Sequence, residues 1–362
     1  MSKALRDDLL ALMRLPGLSG FEERVRSAIR QRLERLGRTP QSDALGNLWV
    51  SFPGQGPSVM LFAHMDQLGF IVRHIETDGF LRLERLGGVP ERALAAQEVL
   101  IGGAGGNDLP GVIANKNHHA TDPSEKYTVL PYRDIYVDAG FATCDEAEAA
   151  GVRIGAPVVY SPHAAALANG RVAGTSVDDR AGCAVLLGLA RQLTARADGP
   201  PVHLCFTVQE EFNLRGAQPL AQRLQPAIAL QIDLMLACDT PDMAGRGNMR
   251  LGGGPGMSLY SFHGRGTLNG VIPHPALVAL AETAAAARDL PLQRSAQVGV
   301  LTDLSYVQLV GDGVAALDLG FPLRYSHSAR EVCDLGDLLS LTDLLAEMLA
   351  RITADFSLER EG

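Results

Sequence analysis

The chain reads as an α/β protein: a mixed sheet sandwiched between helices, interrupted by an inserted, smaller, mostly β domain. Three observations predict it. Apolar strands alternate with amphipathic helices near the start and again from Asp178 onward. Between Leu68 and about Tyr160 the texture changes to short β-rich runs divided by Gly, Pro and Asp turns. And 362 residues exceed what one hydrophobic core usually organises.

Taken in order, Leu5, Leu9, Leu12 and Met13 recur at helical spacing. Ser19-Gly20-Phe21-Glu22 then reads as a capping box opening a second helix, whose apolar face is Val25, Ile29, Leu33 and Leu36. Residues 47–50 and 59–63 have strand composition, the second run ending on His64-Met65-Asp66. The insertion offers strands at 69–75, 80–86, 99–101, 134–137 and 158–160. Beyond it, helices at 181–193, 217–224, 275–288 and 335–354 alternate with strands at 202–208, 227–232 and 314–319.

Composition narrows the function. With 46% hydrophobic and 20% charged residues the chain is not extended and disordered. A net charge of −9 and scattered basic residues argue against nucleic acid as a partner. The five cysteines (Cys144, Cys183, Cys205, Cys238, Cys333) are odd in number and widely spaced, with no Cys-x-x-Cys pair. That pattern suits free thiols in a reducing compartment and excludes a zinc knuckle. The N-terminal stretch lacks an apolar signal core and the longest apolar runs are too short to span a bilayer, so a cytoplasmic location and no membrane partner are expected.

Gln209-Glu210-Glu211 follows the apolar run 202–208, where an open α/β sheet would present ligands beyond a strand's carboxyl end. Alone, two adjacent glutamates are most simply a solvated turn. Their company alters that reading. His64 and Asp66 follow 59–63, Asp233 follows 227–232, His327 lies eight residues past Leu319, and Asp178-Asp179 opens a helix. Each has a plain explanation as a helix cap, a turn acid or a core histidine. Together they are the donor set of a two-metal hydrolase, in which ions roughly 3.5 to 4 Å apart hold one water between them. Three ligating carboxylates and a bridging hydroxide balance two dipositive ions. Mixed imidazole and carboxylate donors suit zinc, cobalt or manganese better than calcium or magnesium. Two carboxylates are left over, one to hydrogen-bond a ligand histidine and one to serve as general base.

The motifs resemble those of the M42 metallo-aminopeptidases, the glutamyl and tetrahedral aminopeptidase family. Ala63-His64-Met65-Asp66 is similar to its His-x-Asp signature and Asp178-Asp179-Arg180-Ala181-Gly182 to its Asp-Asp-Arg-x-Gly stretch. Gln209-Glu210-Glu211 matches its Glu-Glu box, Asp233 to Pro241 its Asp-Thr-Pro segment, and Arg324-Tyr325-Ser326-His327-Ser328 its closing motif. The resemblance implies that Asp178 bridges two divalent ions per subunit, zinc first among the candidates. His64 and Asp233 would complete one site, Glu211 and His327 the other; Glu210 would be the general base and Asp66 would orient His64. It also implies a catalytic domain of residues 1–67 and 166–362, and a dimerisation domain of 68–165. The implied substrates are short peptides, and the implied assembly a homo-oligomer built from dimers, up to a dodecamer.

Some stretches depart from the family pattern. Gly299-Val300-Leu301-Thr302-Asp303-Leu304 keeps only the Thr-Asp pair of a Gly-Thr-Asp-Ala stretch, which bears on the substrate pocket. His118 and His119 precede an unusual polar loop at 121–133, read as a surface loop with an extra metal or substrate contact as the alternative. Gly252-Gly253-Gly254-Pro255-Gly256 lacks the Lys-Ser/Thr of a phosphate loop, so nucleotide binding is not expected. The rival readings are a metal-dependent deacylase on small N-acyl compounds, a glycosidase using Glu210 and Glu211 as its carboxylate pair, and a non-catalytic assembly module.

Overall fold

A computed structural model of the chain describes residues 2–196, 198–264 and 269–360. Helices α1 (Ser2–Met13) and α2 (Glu23–Arg35) form where the apolar spacing predicts them, burying Leu5, Leu9, Leu12 and Met13 on the first and Val25, Ile29 and Leu33 on the second. The capping box does not form. Glu22 occupies the N-cap position without a side-chain cap bond; Ser19 instead donates to Asp66, and Glu22 accepts from the Gly20 and Gln209 amides.

Strands β1 (Gln41–Ser42), β2 (Leu48–Phe52) and β3 (Val59–His64) begin the main sheet. The chain then leaves it for β4 (Gly69–Ile75), β5 (Leu81–Leu86), β6 (Glu98–Gly102), β7 (Asp108–Ile113), β8 (Val137–Asp138), a short helix α3 (Cys144–Ala149) and β9 (Pro157–Tyr160). These six strands close into an antiparallel barrel, order β4-β5-β8-β7-β6-β9, around Phe70, Val72, Leu81, Ile101, Val137 and Val158. Closure leaves no open edge. The barrel differs from the sequence reading in two strands. β7 contains Pro110 and Gly111, which mask its strand character, and residues 134–136 lie outside any strand, β8 beginning only at Val137–Asp138.

After β10 (Ala164–Ala166) and β11 (Arg171–Gly174) come α4 (Val177–Thr194), β12 (Val202–Thr207), α5 (Ala217–Leu224), β13 (Ile228–Leu236), β14 (Gly256–Phe262) and β15 (Gly270–Val271). The remainder is α6 (Pro275–Ala287), β16 (Gln293–Val298), α7 (Leu304–Val307), β17 (Ala315–Leu323), β18 (Glu331–Asp334) and α8 (Leu335–Arg351). The nine-stranded sheet runs β1-β2-β12-β3-β13-β17-β14-β15, with β16 beside β14. Its centre, β12-β3-β13-β17, is parallel, whereas β2 and β14 join antiparallel, so the sheet is mixed.

Helices cover both faces. Leu61, Leu204, Leu230 and Leu317 pack with α1, α4, α6 and α8, while Met60, Phe62, Cys205 and Ala229 pack with α5 and α7. All six residues of β3 are buried in consequence, the signature of a parallel strand covered on both sides. The apolar runs do not predict β14 and β16: β16 alternates half-buried Gln293, Ser295 and Gln297 with exposed Arg294, Ala296 and Val298, as an edge strand does, and offers no apolar run to read.

The cysteines are all free, four of them buried. Among the described residues, no helix is long and apolar enough to cross a membrane. The glycine loop after β13 is closed to outside anions, because the Gly252 and Gly254 amides donate to the carboxylate of Asp337, at 2.8 and 2.7 Å.

Candidate metal centre

β12, β3 and β13 lie side by side and parallel, so their carboxyl ends open onto one crevice. His64 is the last residue of β3, paired in register with Thr207, the last of β12. Asp233 sits inside β13 rather than beyond it, since the strand runs on to Leu236 against β17. At the start of α4, Ser176 is left-handed (φ 59°) and Asp178 and Asp179 have non-helical backbones, which turns the two carboxylates apart. His327, also left-handed (φ 67°), lies in the turn after β17.

Glu210 and Glu211 lie past β12 in a turn that begins with left-handed Gln209 (φ 58°), so strand alternation is not what separates their side chains. Asn47 and Asp66 hold this turn. Asn47 accepts the Val208 amide, and Asp66 accepts the amides of both Glu210 and Glu211 at 3.0 Å.

Two groups of donors result. His64, Asp178 and Asp233 offer ligand atoms within 4.8 Å of one another, and so do Asp178, Glu211 and His327. Asp178 belongs to both. Its Oδ1 lies 3.1 Å from His64 Nε2 and its Oδ2 3.6 Å from His327 Nε2, with Glu211 Oε2 a further 3.8 Å from that ring nitrogen. Glu210 joins neither group; its Oε2 stands 4.0 Å from His64 Nε2.

Both histidines present the same nitrogen for the same reason. His64 Nδ1 faces the Asp66 carbonyl at 3.1 Å and His327 Nδ1 faces the Gly88 carbonyl at 2.9 Å. A carbonyl only accepts, so each Nδ1 bears the proton and each Nε2 lone pair is free to ligate. The Asp66 carboxylate adds a contact to His64 Nδ1 at 3.5 Å.

The M42 glutamyl aminopeptidase family matches residues 46–344 of the chain. The chain belongs to this family. Over its whole length it is 35% identical to the Escherichia coli K12 protein SgcX, spanning 98% of that protein. Its fold superposes on aminopeptidase APDkam598 of the archaeon Desulfurococcus kamchatkensis with a TM-score of 0.91 at 32% identity, covering 98% of this chain and 97% of that one. The Pyrococcus horikoshii TET1 peptidase, which can assemble into a tetrahedron or a large octahedral shell, matches with a TM-score of 0.84 at 28% identity, covering 95% and 99%. M42 proteins are aminopeptidases, hydrolases acting on peptide bonds.

In this M42 chain a further layer of buried carboxylates grips the backbone beneath the donors. Glu331, 2% exposed, accepts the Asp178 amide at 3.0 Å and the His327 amide at 2.7 Å. Asp179 accepts the amides of His64 and Gly182, and Glu22 that of Gln209. Arg324 ties two motifs together through paired bonds to Asp239, at 2.8 and 2.7 Å. Glu331 and Gly88 escape the sequence reading and Glu22 enters it only as a helix cap, because each acts on or through the main chain. His118 and His119 are exposed in a short turn with rings 5.6 Å apart, and neither joins a donor group.

So many buried carboxylates hold protons tightly. Burial pushes Glu210 and Asp233 well above the usual carboxylate range, with neighbouring acids adding to it, and burial likewise takes Glu211 to about 7. Burial opposes charge on the histidines too, but the acids around them win: His64 is raised by Asp178 and Asp66, and His327 reaches about 9 beside Glu211 and Asp178. Asp66 runs the other way. Burial works against its charge, yet His64, Ser19 and the Glu210 amide together hold it below its ordinary value. The donors, nitrogen and oxygen without sulfur, fit divalent cations of the zinc, cobalt and manganese class, and a cation binding there competes with protons.

Proposed function

We propose that this aminopeptidase removes the first residue from short peptides with two divalent ions, zinc first and cobalt or manganese as alternatives. His64, Asp178 and Asp233 would hold one; Asp178, Glu211 and His327 would hold the other. The observation that supports this reading above all is that the two oxygens of Asp178 face one histidine each. Bound there, the ions would supply Lewis acidity, drawing the pKa of a water towards ~7 and offsetting the charge that develops on the carbonyl oxygen.

The chain's own residues do the rest. Glu210, beside the donors but outside both groups, takes a proton from the attacking water and returns it to the leaving amine. Its burial favours that exchange, because a desolvated carboxylate binds a proton more readily than a solvated one. Asp66 keeps His64 in the ligating tautomer and, through the Glu210 and Glu211 amides, holds base and ligand on one turn.

Residues 1–67 and 166–362 form the catalytic domain in this reading, and 68–165 the domain through which subunits assemble. The barrel has a core of its own, and the oligomeric TET1 relative supports a dimer-based homo-oligomer, up to a dodecamer. Five free thiols favour the cytoplasm.

The test is a panel of aminoacyl chromogenic substrates, with N-acylated counterparts, against ion-free protein reloaded with Zn²⁺, Co²⁺ or Mn²⁺. Only the free-amine substrates are expected to turn over, and only with metal; preferential cleavage of the N-acyl set would make the protein a deacylase. Glu210→Gln should keep two ions per subunit and lose about 10²- to 10⁴-fold in turnover. A variant that keeps both its ions and its rate removes Glu210 from the mechanism.

A further inference from the structure

The Ser19-x-x-Glu22 spacing caps no helix, yet both side chains are buried, 3% and 1% exposed. What they reach is the turn that carries Glu210. Four successive amides of that turn each donate to a side chain. Val208 donates to Asn47 at 3.1 Å and Gln209 to Glu22 Oε1 at 3.2 Å, while Glu210 and Glu211 take one oxygen each of Asp66 at 3.0 Å. Ser19 joins the same cradle, its hydroxyl donating to the Asp66 oxygen that also accepts the Glu211 amide.

The segment that bears both residues is built as a strap. Leu18 forms a parallel bridge with Gln67, in which the Gln67 amide donates to the Gly17 carbonyl at 2.9 Å and the Ser19 amide to the Gln67 carbonyl at 3.2 Å. The main chain is thus fastened beside Asp66. Gly20, left-handed at φ 84°, then turns the strap and gives its amide to Glu22 Oε1 at 2.7 Å, the oxygen that also takes the Gln209 amide. One oxygen therefore ties strap to turn. The spacing that would close a helix end serves a longer reach instead.

A base on a turn is only as well placed as the turn. Gln209 is left-handed, a backbone that persists in a non-glycine residue when its surroundings hold it, and Glu22 accepts the amide of this residue. Without that acceptor the amide has to find another partner, and a rotation at Gln209 carries Glu210 with it.

We propose that Glu22 and Ser19 are positioning residues for the hydrolytic step, holding the 209–211 turn so that Glu210 meets the attacking water. The proposal rests on the reading of Glu210 as general base. Neither residue belongs to a donor group, so their loss should appear in kcat, with KM and the ion count kept. Because Glu22 Oε1 receives both amides, what counts is an acceptor in that place and not a charge.

Glu22→Gln and Glu22→Met are similar in length and differ in the acceptor. In the metal-loaded protein Glu22→Met should lower kcat by about 10- to 100-fold, with KM within about threefold and two ions per subunit retained; Glu22→Gln should stay within about threefold of wild type. Ser19→Ala should lose about tenfold in kcat, and Ser19→Thr, which keeps the hydroxyl, should restore most of it. A second readout needs no turnover. Hydrogen exchange of the ion-free protein, followed by mass spectrometry, should quicken about tenfold or more across 208–211 in Glu22→Met and Ser19→Ala, and stay near wild type in the conservative variants. Wild-type kcat in Glu22→Met overturns the proposal, as does Glu22→Gln as slow as Glu22→Met, a rate loss that follows loss of ions, or unchanged exchange. Should the Glu22 variants not fold, the Ser19 pair decides by the same measures. Full rate in Glu210→Gln, or a wild-type protein that cleaves no free-amine substrate, is a different outcome: it rejects the underlying reading, while exchange still reports whether the strap holds the turn.

Discussion

The two donor groups share Asp178 and little else. The His64 group is built from the body of the sheet: His64 ends β3, Asp233 lies within β13, and both are buried. The His327 group is built from turns. Glu211 and His327 follow left-handed residues or are themselves left-handed, and the His327 side chain is 36% exposed. One group inherits its geometry from strand register; the other depends on hydrogen bonds to its backbone and on a carbonyl from the barrel. Register is set by many ladder bonds at once, whereas a turn is set by a few, so the second group should be the easier one to disturb.

Asp178→Ala should erase the contrast altogether. With the shared carboxylate gone, metal analysis is expected to find neither ion retained and activity lost; an unchanged metal count would show that Asp178 does not bridge. His327→Ala should expose the contrast instead, giving about one ion per subunit, held by His64, Asp178 and Asp233. Loss of both would mean that the two groups fill only together.

Acidity sharpens the picture further. Only unprotonated donors ligate, and in the ion-free protein His327 is raised to about 9 and Glu211 to about 7, so protons compete for the second group. Lowering the pH through this range should weaken metal binding, and raising it should strengthen binding with measurable proton release. Calorimetry in buffers of different ionisation enthalpy reads this directly, and affinity that does not change between about pH 6 and 9 would contradict it.

Glu331→Gln leaves one acceptor oxygen for two amide donors and should weaken metal binding by about 10- to 100-fold. Smaller still is Gly88→Ala. A Cβ there would meet His327 Nδ1 at 2.8 Å, so the ring has to shift. Affinity at the second site should fall by about tenfold while the first is unaffected; equal losses at both would erase the distinction.

The candidate donors are legible in the sequence because side chains able to ligate a metal stand beside apolar runs. His64 and Glu211 stand just beyond the runs 59–63 and 202–208, and reading past the end of each run finds them. Their supports are not legible in that way. Glu331 accepts from two amides, and nothing in a sequence marks which amides lack partners. Ser19 and Glu22 do stand out, but as a helix cap, since the same spacing that serves a capping box here reaches across to Asp66 and Gln209. In the fold, the buried central strands are read easily and β14, β16 and β7 are not. The first two lack a continuous apolar run, and the third has proline in its middle.

The Gly88 carbonyl belongs to the segment after β5, outside the main sheet, yet it decides which nitrogen His327 offers. That single oxygen limits how freely the barrel can be exchanged for another. A transplanted insert has to return a backbone acceptor to the same place, or the graft will fold, crystallise and pass every test of shape while one histidine carries its proton on the wrong side.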